Sequence, residues 1–192
     1  MDFFFYVGSL YSYLSVMRID DAAAEVGVEV RWRPFSVRNI MIEQENLPTR
    51  NAAKIAYMHR DLERRAERLG IPMKSGVPHP VDPEQLANRV AIVAAQQGWC
   101  PQFTKAIFAN WMQKHDRPGD RDQLKALLTE LGQDADAVIA QADSEEGHRA
   151  YEAETDAARE LGIFGAPSFV VGKELFWGDD RLEDALAWAQ TR

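Results

Sequence analysis

Gly162-Ile163-Phe164-Gly165-Ala166-Pro167-Ser168-Phe169-Val170-Val171 joins a polar, helix-patterned run to a strand that starts directly after a proline. A proline at a strand start lacks an amide donor and holds Ala166 extended, so the Ala166 N–H and C=O are expected to stay free for a partner outside the sheet. A cis Ala166-Pro167 bond would sharpen the turn. A plain loop between helix and strand fits the same letters, and only the rest of the chain gives the junction a functional meaning.

Downstream, Ser168 to Val171 and Glu174 to Trp177 flank Gly172-Lys173, a glycine-first pair that suits a type II′ hairpin turn. Gly178-Asp179-Asp180 then cap a last helix. At the other end, Phe3-Phe4-Phe5-Tyr6-Val7 is a continuous apolar run, the pattern of a strand buried on both faces. Ser9 follows as an N-cap, and Leu10, Tyr13, Leu14, Met17 and Val26 fall at helical spacing up to Gly27. Val28 to Arg33 alternates apolar and charged residues, which completes a right-handed βαβ unit ended by Pro34.

From about Thr49 to Leu161 the pattern is helical, punctuated by glycines. Asp82-Pro83-Glu84 reads as a helix start running to Gly98, and further starts fall near Pro101, Arg121, Asp134 and Ser144. Met73 to Pro80 reads as a loop. The order is βαβ, a helical block, then αββα. This is the order of an α/β, thioredoxin-like fold with one mixed sheet and a large inserted all-helical domain. The expected division is 1–48 with 150–192 for the thioredoxin-like part and 49–149 for the insertion.

Thirty acidic against 22 basic side chains leave a net charge of −8, which disfavours nucleic acid and anionic membrane as partners. Phe3 to Val7 is too short for a membrane span or a signal segment, and a cytoplasmic location is expected. Cys100 is the single cysteine. It excludes an intrachain disulfide and a Cys-x-x-Cys redox pair, so sulfur chemistry would need a borrowed thiol; Cys100 itself reads as a small buried hydrophobe. His59, His79, His115 and His148 show no metal-ligand spacing, and no metal is expected.

In this topology the turn at Ser9 and the loop at Ala166-Pro167 lie side by side at the end of the sheet. Ala166 would offer strand-like hydrogen bonds to an extended peptide, and Ser9 would stabilise a thiolate on it. On this stretch alone an ordinary N-cap is the favoured reading of Ser9.

Four segments together resemble the 2-hydroxychromene-2-carboxylate isomerases, relatives of kappa-class glutathione transferases and of DsbA-like oxidoreductases. They are Phe5 to Leu14, Trp32-Arg33-Pro34-Phe35, Gly162 to Phe169, and Phe176-Trp177-Gly178-Asp179-Asp180-Arg181-Leu182. The resemblance spans essentially the whole chain. It implies glutathione as cofactor and Ser9, in place of the DsbA cysteine, as donor to the glutathione sulfur. It also implies that Asn46, in Asn46-Leu47-Pro48, reaches glutathione, where an ordinary loop asparagine fits equally well, and that Asp179 and Asp180 hold the γ-glutamyl end. Asp179 could serve as a helix cap alone; Asp180 is the better ligand for an α-ammonium. Lys54 is a further candidate that also reads as a solvated helix lysine. Leu10 stands where the family usually has proline, and Tyr6 where it often has an acid.

The implied activity is a glutathione-dependent isomerisation of aromatic catabolism, in which the thiolate adds reversibly to a small aromatic carboxylate and a double bond becomes a rotatable single bond. The same site could serve a transferase or peroxidase, and a thioredoxin-fold binding module without cysteines is the non-catalytic alternative. A homodimer is expected from the aromatic load and from the related families.

Overall fold

The computed structural model describes residues 1–47, 51–79 and 81–191. Pro48 and Thr49, where the Asn46-Leu47-Pro48 segment ends and the helical block was expected to begin, lie outside them, as does Pro80. The sheet is assembled on β1 (Asp2–Phe5). β2 (Arg31–Pro34) runs parallel to it on one side, β3 (Ser168–Val171) antiparallel on the other, and β4 (Glu174–Trp177) antiparallel beyond β3.

The continuous aromatic run of β1 follows from burial on both faces. Phe3 lies opposite Trp32 and Phe169, with ring centroids 5.0 and 5.4 Å away, and Phe5 packs on Trp32 at 5.5 Å. Phe4 turns to the other face and meets Phe35 at 5.6 Å. All three phenylalanines are fully buried. The Phe3 face is covered by α1 (Leu10–Val16), α2 (Ile19–Glu25), α5 (Leu86–Gln97), α6 (Cys100–Ala109) and α10 (Leu182–Gln190). The Phe4 face is covered by α3 (Val37–Glu43) and α9 (Glu145–Glu160). α4 (Ala52–Leu69), α7 (Arg121–Glu130) and α8 (Ala135–Asp143) complete the helical stretch between β2 and β3.

The structure corrects the sequence reading in four places. The expected single helix from Ser9 to Gly27 is two, broken at Met17-Arg18, where no glycine or proline stands; the Arg18 side chain is drawn instead to Asp179 and Glu183. β2 starts at Arg31, level with Asp2 on β1, and not at Val28. α3, capped by Ser36 Oγ on the Asn39 N–H, falls in a stretch between Pro34 and Thr49 for which the sequence reading gave no element. Asp82-Pro83-Glu84 forms a separate turn: Gln85 takes a left-handed φ of 56°, α5 begins at Leu86, and the Asp82 carboxylate accepts the Leu86 N–H at 2.8 Å. The hairpin is as expected, with Gly172 alone at positive φ in its two-residue turn.

Asn88 fixes the end of β1 just before the Ser9 turn. Fully buried on α5, it accepts the Val7 N–H at 2.8 Å and donates to the Val7 C=O at 3.0 Å. Asn88→Ala orphans both groups, and each unsatisfied buried group costs about 1–3 kcal/mol. Urea unfolding is expected to show a loss of roughly 2–4 kcal/mol with an unchanged dependence on denaturant.

Candidate functional site

The site is built where the Ser9 turn meets the loop before β3. Ser9 has extended backbone, φ −87° and ψ 119°, and its Oγ accepts the Ser12 N–H at 3.2 Å, which makes it the N-cap of α1. The same hydroxyl donates to the Ala166 C=O at 2.9 Å. A carbonyl only accepts, so the serine hydrogen is committed to Ala166. The Ala166-Pro167 bond is cis.

The expectation that both polar groups of Ala166 stay free therefore holds for one of them. Its C=O is taken by Ser9, while no group among the described residues accepts its N–H. The flanking carbonyls are also satisfied: Ser168 Oγ donates to the Gly165 C=O at 2.8 Å, and the Gly178 N–H to the Pro167 C=O at 3.0 Å. Gly165 has no room for a side chain, since a Cβ there would overlap the Trp177 indole. Trp177 in turn stacks edge to face on Phe164 at 4.9 Å and is 52% exposed, leaving an aromatic shelf beside the loop.

The bond from Gly178 to Pro167 carries the Asp179–Arg181 turn to the same place. The two aspartates part company there. Asp179 is 2% exposed, and its Oδ2 accepts from Arg65 Nε at 3.0 Å and Nη2 at 2.5 Å, so its carboxylate is engaged in an ion pair and the helix-cap alternative does not hold. Burial holds its carboxyl above the usual carboxylate range; Arg65 pulls in the opposite direction. Asp180 is half-exposed and pairs with Arg181 at 3.0 Å.

Asn46 lies in the exposed turn after α3, its N–H on the Met41 C=O at 2.8 Å, with no bond from its side chain to Ser9, Ala166 or Asp180. Lys54 is exposed on the first turn of α4. The structure therefore brings Ser9, Ala166, Pro167, Asp179 and Asp180 into one bonded set and leaves Asn46 and Lys54 outside it.

Four polar residues that the sequence reading passed over belong to this set. Arg65 clamps Asp179, Arg18 donates to the Asp179 C=O at 2.7 Å, and Tyr11 donates to Asp61 at 3.0 Å, tying α1 to α4. Asp61 and Arg65 are one helical turn apart and flank the buried Leu62 and Ala66, a spacing that marks one face of α4. Hollows of about 360 Å³ between α4 and Ile71–Ser75, and of about 250 Å³ beside Trp32, contain none of the candidate residues. Among the described residues no group of three His, Cys, Asp or Glu could hold a metal, and no helix is long and apolar enough to cross a membrane.

The family model for the DSBA-like thioredoxin domain matches residues 1–187. A 2-hydroxychromene-2-carboxylate isomerase of Sphingobium xenophagum is 30% identical over 95% of this chain and 94% of its own length. A glutathione S-transferase kappa 2 of Caenorhabditis elegans is 29% identical over 94% of this chain and 87% of its own. The solved structure of a 2-hydroxychromene-2-carboxylate isomerase superposes with a TM-score of 0.86 at 25% identity, covering 97% of this chain and 94% of that one.

Cys100 stands apart from the site. It is 2% exposed in α6, with its thiol beside Thr104 Oγ1 at 3.6 Å, and burial pushes it up to about 12. The thiolate is the reactive form. At pH 8 the native protein is expected to show no reaction with a chromogenic disulfide reagent over minutes, and one equivalent once unfolded in guanidinium; rapid labelling of the native protein would contradict this.

Proposed function

The chain belongs to the DSBA-like thioredoxin domain family and to the 2-hydroxychromene-2-carboxylate isomerases within it, and from that premise we propose a glutathione-dependent isomerase acting on a small aromatic carboxylate in the cytoplasm. The observation that carries the proposal is the 2.9 Å bond from Ser9 Oγ to the Ala166 C=O. It puts the hydroxyl on a backbone segment that lies outside the sheet pairing and whose N–H is free among the described residues, as an extended thiol peptide would need.

Binding then changes the partner of the serine. An extended peptide that pairs with Ala166 accepts its free N–H and gives its own N–H to the Ala166 C=O. The Ser9 hydrogen is released from that carbonyl and turns to the sulfur. The thiolate adds to the conjugated substrate as a C–S bond forms, the former double bond rotates as a single bond, and elimination breaks the C–S bond, so glutathione leaves unchanged. Asp180 takes the γ-glutamyl ammonium, Asp179 supports it from inside, and Pro167 keeps the loop open by having no N–H. Asn46 enters this reading as an outer contact. The helical block, divided from the thioredoxin-like part at 48/49 and 149/150, supplies the substrate side.

The kappa-class relative supports a second reading, in which the same site leaves glutathione conjugated; product analysis separates the two. A homodimer is also part of the proposal, since Ile42, Tyr57 and Trp177 are each at least half-exposed. Sedimentation at micromolar concentration is expected to give twice the 21.7 kDa chain mass, and a monomer alone would remove that part.

Reduced glutathione at ~100 times its dissociation constant should stabilise the protein by about 2.7 kcal/mol. A model thiol titrates near ~8.5. Because Ser9 exchanges one acceptor for another, its contribution falls at the low end of the roughly 1.5–3 kcal/mol typical of a charged hydrogen bond. Ser9→Ala is therefore expected to move the thiolate absorbance of the complex up by about one pH unit and to cut turnover near neutrality on the order of 10-fold, with recovery at higher pH. Identical titration curves would reduce Ser9 to a helix cap.

A further inference from the structure

We infer that Arg65 is a positioning residue of the glutathione site: by holding Asp179 inside the protein it decides that the neighbouring Asp180 faces the ligand. The inference rests on the glutathione reading above. Asp179 and Asp180 are consecutive in a 3₁₀ turn, where successive side chains point about 120° apart. One of them going inward therefore sends the other outward.

The turn is tied at three points, each to a different element. Gly178, at φ 112°, donates to the Pro167 C=O; Arg65 from α4 makes two hydrogen bonds to Asp179 Oδ2; and Arg18, between α1 and α2, donates to the Asp179 C=O. Arg18 also pairs with Glu183 in the first turn of α10. Of these ties only the one from Arg65 reads the Asp179 side chain. The other two grip backbone and would be satisfied with either aspartate inside.

Charge makes the choice depend on Arg65. Asp179 lies beside Asp180, with Arg18 the one other cation acting on it among the described residues, and its carboxylate is buried, so without the Arg65 guanidinium it would be a buried charge stripped of both side-chain hydrogen bonds next to another acid. The relief available to the turn is to roll Asp179 into solvent and carry Asp180 with it. Asp180, by contrast, is bound by nothing that would resist a ligand. Its partner is the adjacent Arg181, itself shared with Asp184, and both side chains of the Asp180–Arg181 pair are 48% exposed; such a pair is worth little and an ammonium can replace it. Arg65 is in turn held at a fixed place relative to Ser9, because Tyr11 of α1 bonds Asp61 one turn before it on α4.

The test is a double-mutant cycle on glutathione affinity, read by calorimetry on the full chain with Arg65→Gln, Asp180→Asn and the two combined. Each single variant is expected to weaken binding about 10-fold, the cost of one ~1.4 kcal/mol contact, with the loss in KM for glutathione far more than in kcat. The double variant is expected to bind no more weakly than Asp180→Asn. Arg65→Lys, which keeps the charge without the fork, should recover part of the loss. If Arg65→Gln does not fold, Arg65→Lys carries the cycle with Asp180→Asn. Additive effects, or an Arg65→Gln affinity equal to wild type while Asp180→Asn is weakened, would overturn the positioning role and leave the glutathione site standing. Wild-type protein that takes up no glutathione at millimolar concentration would overturn both.

Discussion

Three consecutive carbonyls, those of Gly165, Ala166 and Pro167, lie before the first pairing of β3, and each has to find a donor from elsewhere. Ser168 supplies the first, Ser9 the second and Gly178 the third. A buried carbonyl left without a partner costs about 1–3 kcal/mol, so the loop can exist only where the N-terminal turn and the turn after β4 come to it. The site is a consequence of that requirement. Ser9 and the two aspartates are brought together from opposite ends of the chain by backbone groups that need hydrogen bonds, before any ligand is considered.

α4 adds the electrostatic half of the same construction. Most of the ion pairs on this protein are exposed, such as the Arg159 network with Glu43, Glu152 and Asp156, and contribute little. The Arg65–Asp179 pair differs because the carboxylate is nearly inaccessible and the guanidinium approaches it with two N–H groups. Such a pair is seldom a net source of stability compared with apolar side chains of the same volume, whereas removing one partner is costly. Its value lies in orientation. With Tyr11–Asp61 it fixes α4 against both α1 and the aspartate turn, so the helical stretch between β2 and β3 shares in setting the geometry of a site whose reactive atoms lie elsewhere.

Much of this was legible in the sequence, for reasons that can be named. Phe3 to Val7 reads as a doubly buried strand because both faces of β1 are covered, and the Gly172-Lys173 hairpin reads correctly because turn chemistry is local. Ser144, Asp134 and Ser9 announce helix starts through their own side chains. What was not legible depends on contacts far apart in the chain. The break at Met17-Arg18 coincides with the Arg18 bond to the Asp179 C=O, 161 residues away. Gln85 adopts its left-handed φ while its side-chain oxygen accepts from Ser36 Oγ at 2.6 Å and Tyr151 Oη at 2.9 Å, partners that no local pattern discloses. The Ala166 carbonyl looks free in a one-dimensional reading because its donor is 157 positions earlier. Arg65, one of two adjacent arginines on a polar helix, carries no mark that separates it from a solvated residue until Asp179 is placed beside it.

The chain contains one sulfur nucleophile and has sealed it. Cys100 is buried in α6 with a strongly raised pKa, while the turn that meets the Ala166 loop offers a hydroxyl. Among the described residues no base is bonded to this serine hydroxyl: Ser9 accepts from Ser12 and donates to a carbonyl, and neither partner can take its proton. Its chemistry is then that of a donor, and a donor is useful where negative charge arrives with a ligand. The buried support beneath this turn fits the same role. Asp82 accepts the Leu86 N–H, the Asn88 N–H and the Asn88 side-chain amide, and Asn88 pairs both polar groups of Val7, two residues before Ser9. Burial holds the Asp82 carboxyl above its ordinary range, and its three donors compensate for that burial. The hydroxyl is thus held by a satisfied, inward-facing network, in a fixed place, with its single hydrogen on the Ala166 carbonyl.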